Sequence, residues 1–535
     1  MFSSGQPTVM ELKFALPTYP SVPEFVVETR PKQVQEWLEA LPLANTHEAC
    51  RKLADAIAAV NSVKLGEDAR CNLLEIYRTA VSQLRPSLQQ LYVGKPLPLA
   101  EKSQQAVMLL REMYGELANG YKLALTDLSA RRGNLSANKL TALALGRVLE
   151  CLGNMLEVYY EAYAPAPAAI WTELHQVYWY AAKLNLHDQT LASEEKNSIN
   201  TIYTQILLIA LADPYRMLQG QLVLVKAYLA QFGRQVVLQS LGPTDNKHGL
   251  FLVRLDSDYP PKALMHYQGV TDARTDIILN TIPLARVLHQ HVQGLESGLP
   301  LLKLGLPEGA QQASYRDMLK RLIKQWGVAP KRVFNRAQGH VDVHVCAGIY
   351  ALHRALSEGL VSADKAHGDV PENIELSDLL QATGNQQTYN CTRWSVLNES
   401  AGGLTLAKEA GHYAKIKVGD IVGIEAETAG SWEVALVRWM QSDADHRIEL
   451  GAQRLAPHAE AIAVKPVIAA ADTLFQPALL LPEIPALKQP ARIAAARGSF
   501  QHLREFEVRS HGLIHQVRAN LLIEQTDGLD LFTFN

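Results

Sequence analysis

A chain of 535 residues is longer than one hydrophobic core usually organises, so roughly three or four structural units are expected and a single compact domain is excluded. Apolar residues make up 48% and charged residues 20%, a globular balance that excludes a disordered or fibrous protein. A net charge of −3, from 51 basic and 54 acidic residues without a run of either sign, removes the electrostatic basis for general binding to DNA, RNA or a membrane surface.

The five cysteines are scattered and odd in number, which fits a reducing cytoplasm better than a disulfide framework. Residues 1–24 lack the basic and then apolar segments of a secretory signal. The longest apolar run, near 206–212, is far short of the ~20 residues that a membrane helix needs, so no membrane insertion is expected.

In chain order, an N-terminal extension (1–28) leads into a region where apolar residues recur at helical spacing. Ala106, Leu109, Leu110, Met113 and Leu117 make one stripe, and Leu145, Val148, Leu149, Leu152, Leu156 and Tyr159 another. Pro165 and Pro167 interrupt the pattern, and Asp213-Pro214 places a capping carboxylate before a first-turn proline. Residues 29–233 therefore read as an all-α helical domain, without the fixed period of a solenoid. Its aromatic cluster, from Tyr159 to Tyr180, keeps helical spacing and reads as core packing rather than a ligand box.

Residues 234–326 form a mixed α/β segment. Short strands at 236–238, 250–253 and 277–279 are followed by helices at 283–295 and 315–326, and Gly327 to Pro330 makes a hinge. From Ala337 onward strands prevail, at 341–345, 414–425, 432–440 and 447–455, a density that implies a barrel or sandwich. The tail (461–535) continues in strands and ends in a hairpin around Asp527-Gly528.

Two elements in this β region carry chemistry. Lys331-Arg332-Val333-Phe334-Asn335-Arg336 holds an Arg-x-x-x-Arg pair, and Asn398-Glu399-Ser400-Ala401-Gly402-Gly403 holds an Asn-x-Ser-x-x-Gly turn. Each alone is common in chains of this size. In this order, with Trp394 to Leu397 entering the turn, Gly403 to Leu406 leaving it, and then Val418 to Gly423, Val437-Arg438-Trp439 and Leu450 to Gln453, they resemble the PilZ domain.

That resemblance implies an antiparallel β-barrel over 327–460, with an insertion at about 347–390, and a ligand, cyclic di-GMP. Arg332 and Arg336 would clamp phosphate and guanine, with Lys331 beside them, and Asn398, Ser400 and Gly403 would hold the other face. The chemistry agrees: guanidinium groups fork onto phosphate oxygens or guanine O6 and N7, and short polar side chains bond a base edge. Asparagine stands where many relatives carry aspartate, which removes an acceptor for guanine N1 and N2. The expected class is thus α+β multidomain, with a helical N-terminal domain, a mixed middle, a PilZ-like barrel and C-terminal strands, which either complete that barrel or stand apart.

His340, His344 and Cys346 alternate onto one strand face, but no further ligand pair at metal spacing accompanies them, His353 lying on the helix that follows. His289 and His291 have no carboxylate nearby in sequence, and no nucleophile elbow, phosphate loop or metalloprotease helix occurs. The expectation is a receptor, with no enzyme activity, cofactor or metal. Ligand capture next to the hinge would change interdomain geometry, and the helical domain would meet an unidentified protein partner, by family analogy in motility, pilus or biofilm control. A PilZ-like scaffold that has lost ligand binding is the alternative.

Overall fold

The periodic stripes of the first half fold into helices: α1 (Pro31–Glu39), α2 (Thr46–Ser62), α3 (Glu67–Tyr92), α4 (Glu101–Arg132), α5 (Lys139–Glu161), α6 (Ile170–Lys183), α7 (Ile199–Leu211) and α8 (Gln221–Phe232). The computed structural model describes residues 13–18, 27–42, 45–132, 138–191, 197–242, 247–327, 337–358, 391–409, 416–426, 431–443, 445–468 and 473–535. They fall into two compact units, Met1–Lys95 with Leu99–Lys331, and Arg332–Asn535 with Pro96–Pro98.

In the first unit, polar caps set where helices begin. Asn45, Asn138 and Ser198 accept from the backbone N–H groups of Glu48, Thr141 and Thr201. The start of α6 is capped from outside: Asp258 accepts from the N–H groups of Ala169, Trp171 and Thr172 at 2.7–3.1 Å. The aromatic cluster is core, as its spacing indicates, with Trp171, Tyr178 and Tyr203 buried and the last two stacked at 4.0 Å. His175 is fully buried between the Tyr203 hydroxyl and the Tyr259 carbonyl, and burial pushes its pKa down to about 4.

The mixed segment adds β1 (Val237–Ser240), β2 (Leu250–Arg254), β3 (Lys262–Ala263) and β4 (Asp276–Asn280), in antiparallel order β1-β4-β2-β3, with helices α9 (Ile282–Glu296), α10 (Leu301–Leu304) and α11 (Ala313–Gly327). One continuous core runs from Val34 to Trp326. Trp326, wholly buried near the end of α11, donates its indole N–H to the Leu208 carbonyl at 3.0 Å. His291 on α9 is also a core residue, bonded to the Tyr228 hydroxyl.

The second unit begins with β5 (Ala337–Ala347) and α12 (Ile349–Glu358), followed by β6 (Thr392–Ser400), β7 (Gly403–Lys408), β8 (Ile421–Ala426), β9 (Glu433–Ser442) and β10 (Ile448–Ala456). The strands close into a barrel ordered β10-β7-β6-β5-β8-β9. Closure is tight at Gly403, where a Cβ would stand 2.3 Å from the backbone oxygen of Ala452.

The tail strands do not complete this barrel. β11 (Glu460–Pro466), β12 (Gln476–Leu481), β13 (Arg492–Ala496), β14 (Glu505–Ser510), β15 (Leu513–Gln525) and β16 (Leu529–Phe534) close into a second one, ordered β11-β12-β13-β16-β15-β14. The two barrels share an apolar cluster that joins Ile421, Val434 and Leu436 to Leu479, Leu481 and Leu531, with Leu352 of α12 seated in it. Leu352 lies over Gly423, where a Cβ would come 2.2 Å from its Cδ1. Asp420 sits at the same junction, its Oδ2 accepting from the Lys417 N–H at 2.8 Å. Burial pushes its carboxyl up to about 6, the Lys417 N–H and charge work against this, and Asp527 on the second barrel adds repulsion. Among the described residues no helix is long and apolar enough to cross a membrane.

Two predictions follow from this packing. Gly403→Ala forces β7 and β10 apart and is expected to cost about 1–3 kcal/mol of stability, read as a lowered urea midpoint without any ligand. For Asp420, the folded pKa lies above the ordinary value of 3.8, so folding favours the protonated form and this contribution is lost as pH rises from about 4 to above 6. The stability of Asp420→Asn relative to the parent should therefore grow between about pH 4.5 and about pH 7.5. A difference in melting temperature that stays flat with pH would count against the assignment.

Candidate functional site

The β6–β7 hairpin carries the Asn-x-Ser-x-x-Gly segment. Ser400 pairs with Gly403 across the Ala401-Gly402 turn, and Asn398 pairs with Thr405. Strict alternation from Trp394 and Val396, both buried, would aim Asn398 into the barrel. A bulge at Leu397, between the Val396–Leu406 and Asn398–Thr405 pairs, turns it to the outer face. Directly opposed residues share a face, so two rows cross the outside of the barrel. One holds Asn398, Thr405, Gly451 and Trp439, and the other holds Ser400, Gly403, Gln453 and Leu436.

The polar groups on these rows are only partly engaged. The Thr405 hydroxyl donates to Asn398 Oδ1 at 3.0 Å, which leaves the Asn398 amide nitrogen as a donor without a partner among the described residues. The Ser400 hydroxyl donates to the Gly403 carbonyl at 3.1 Å and keeps its oxygen lone pairs as acceptors.

Arg454 on β10 grips the hairpin, a role that sequence reading missed because its partners come from β6, the β6–β7 turn and β9. Its guanidinium donates to the Ser400 carbonyl, to Glu399 at 3.1 Å and to Glu433, while its backbone N–H reaches the Gly402 carbonyl at 3.2 Å. Burial works against its charge, but Glu433 and then Glu399 outweigh it and hold the guanidinium above its ordinary pKa.

Lys331, Arg332 and Arg336 lie outside the described residues. The strand that follows them does not: Ala337 pairs with Glu399 and Gln338 with Asn398. At the other end of β5, Val345 pairs with Thr392, so the chain leaves the sheet and re-enters it at neighbouring positions, and the intervening residues leave the β5–β6 register intact.

The zinc reading gains no support. The His340 side chain lies outside the description, His344 is paired in register with Arg393 and Glu425, and Cys346 with Gly423. Among the described residues no group of His, Cys, Asp and Glu side chains is placed to hold a metal ion. The described arginines on or beside β6–β10 are matched with carboxylates: Arg393 with Asp342 at 2.7 Å, Arg438 with Glu524 at 2.8 Å, Arg447 with Glu449 at 3.1 Å, and Arg454 as above.

Comparison with known proteins accounts for most of the chain. Residues 32–244 match the family model of the N-terminal domain of the cyclic-di-GMP receptor FimW, and residues 250–362 and 361–461 match its middle PilZ domain. Residues 462–535 match the FimW C-terminal β-barrel domain. The cyclic-di-GMP receptor FimW of Pseudomonas aeruginosa is 25% identical over 536 aligned residues, which cover 91% of this chain and 87% of that protein. These models describe a receptor rather than an enzyme. With its barrel closed in the PilZ strand succession and flanked by the two further domains that these models define, the chain belongs to the PilZ family.

Proposed function

We propose that this chain is a cytoplasmic effector that binds cyclic di-GMP on the outer face of its first barrel. The observation that carries the reading is the β5–β6 register. Ala337, the residue that follows Arg336 in the sequence, is paired with Glu399, in the hairpin that holds Asn398, Ser400 and Gly403. The β5–β6 register is kept although the insertion lies between the two strands, which supports a site that draws on both segments. The name of the Pseudomonas aeruginosa relative, a cyclic-di-GMP receptor, points the same way.

In this reading Arg332 and Arg336, with Lys331, take the phosphodiesters and a guanine edge, where a guanidinium fork meets two acceptors at once. Asn398 presents its amide nitrogen to a base or phosphate acceptor, and the Ser400 oxygen accepts from a base N–H. Gly403 lets the hairpin lie close against β10 and keeps the face beneath the ligand flat.

Ligand capture then acts on the arrangement of the two units, because one of the boundaries between them falls at Lys331 and Arg332, inside the arginine segment. The shift can be no larger than the ligand's differential affinity for the two arrangements. The helical domain offers the surface for a protein partner, with motility, pili or biofilm formation as the output.

Isothermal titration of the intact chain with cyclic di-GMP tests the binding. Saturable heat is expected, weakened at least about tenfold by Arg332→Ala or Arg336→Ala at unchanged melting temperature. Silence from the parent chain, or full affinity in both variants, would refute the site and favour a scaffold without ligand. Small-angle scattering with and without ligand tests the rearrangement, and superimposable profiles would retire that part while leaving binding intact.

A further inference from the structure

Gln453 stands in the second outer row directly opposite Gly403; it ends the Leu450 to Gln453 stretch of the PilZ-like succession but is not among the residues expected from the sequence to hold the ligand. Its side chain is exposed but not free to turn. Arg438, the bulged residue of β9, donates from Nε to Gln453 Oε1 at 2.7 Å. The rest of the Arg438 fork is held by the second barrel, with Nη1 to Glu524 Oε1 at 2.8 Å and Nη2 to Glu524 Oε2 at 3.0 Å. A guanidinium nitrogen can only donate, so the amide oxygen must face it and the amide nitrogen must take the other end. That nitrogen has no partner among the described residues.

As a fastening, a pair about one-third exposed, such as Arg438 with Glu524, contributes little stability. Its consequence is orientation. A free glutamine recognises adenine through an oxygen and a nitrogen together, accepting from N6 and donating to N7. With Arg438 engaging one lone pair of its oxygen and fixing which way the amide turns, Gln453 is left with its amide nitrogen, a donor, as its unengaged end. Guanine presents two acceptors on the same edge, O6 and N7, whereas adenine presents the N6 donor.

We infer that Gln453 is a further ligand-contact residue that favours guanine over adenine, with Arg438 and Glu524 as the positioning residues that fix its amide. The inference rests on the cyclic di-GMP reading and extends it. It also gives the second barrel a part in recognition, since Glu524 belongs to β15.

The test measures affinity for cyclic di-GMP and for cyclic di-AMP on the full-length chain. Gln453→Glu, which replaces the amide nitrogen by an acceptor, is expected to weaken cyclic di-GMP at least about tenfold and to narrow the ratio between the two ligands. Gln453→Met, similar in shape but without donors, should weaken cyclic di-GMP by about fivefold or more. Glu524→Gln should lower the guanine-to-adenine ratio about threefold through loss of orientation, with Glu524→Asp recovering part of it. A merely structural role for Arg438 and Glu524 would move melting temperature and leave that ratio alone. If the parent chain binds cyclic di-GMP and both Gln453 variants keep its affinity and its ratio, the inference is overturned. If the parent chain binds neither dinucleotide, the functional reading itself fails, and the two failures are distinguishable.

Discussion

The pairing of β5 with β6 is the constraint on which the rest of the second unit depends. Antiparallel pairing fixes which side chain lies opposite which, and a slip of one residue would send every side chain to the other face. Here the ladder runs from Ala337–Glu399 to Val345–Thr392, with one irregularity between Gln338 and Val341. Its far end brings the exit and the return of the chain side by side, which is how a long insertion is carried without disturbing the barrel. Its near end brings the residue after Arg336 beside the hairpin turn. A single ladder thereby aligns the two ends of the insertion and sets Ala337 against the hairpin.

The outer face beneath that hairpin is shaped by close approach as much as by polar groups. At Gly403 the backbone of β10 occupies the space of a side chain, and at Gly451 the Trp439 ring does, a Cβ there standing 1.8 Å from its indole nitrogen. Removing two side chains leaves a shallow floor bounded by Trp439 on one side and by the hairpin on the other. The bulge at Leu397 supplies the remaining element, since it alone moves Asn398 from the interior to this floor.

Much of this was legible in the sequence, for reasons tied to periodicity. Helical spacing identified the first half, and alternation identified β5, β9 and β10, because a half-buried strand must alternate to satisfy core and solvent together. The motif residues were visible as a spaced pattern. What alternation cannot reveal is where it breaks: continued along β6, it puts Asn398 on the same side as Trp394. Nor could it show that the tail closes on itself, because that rests on pairings between distant strands such as β13 with β16 and β11 with β14. Arg438, Gln453 and Glu524 escaped for the same reason, being spread over β9, β10 and β15. Arg454 escaped as well, since an arginine in a strand reads as a solvated surface residue until its carboxylate partners are seen.

Those carboxylate partners bear on how such a chain can hold an anion at all. With a net charge of −3, the protein has no long-range pull on a dianionic ligand. The described guanidinium groups of the first barrel already face Asp342, Glu524, Glu449, Glu399 and Glu433. Each is therefore committed to shape, holding a strand, a hairpin or an amide in place, and its charge is largely cancelled where it stands. A phosphodiester arriving at the outer face would displace one of these pairs at a cost, or else meet cations supplied from elsewhere in the chain. Lys331, Arg332 and Arg336 are three cations within six consecutive residues, with no acidic residue among them, at the entrance to β5. The arginines of the first barrel thus act on its shape, each neutralised by the carboxylate that it holds.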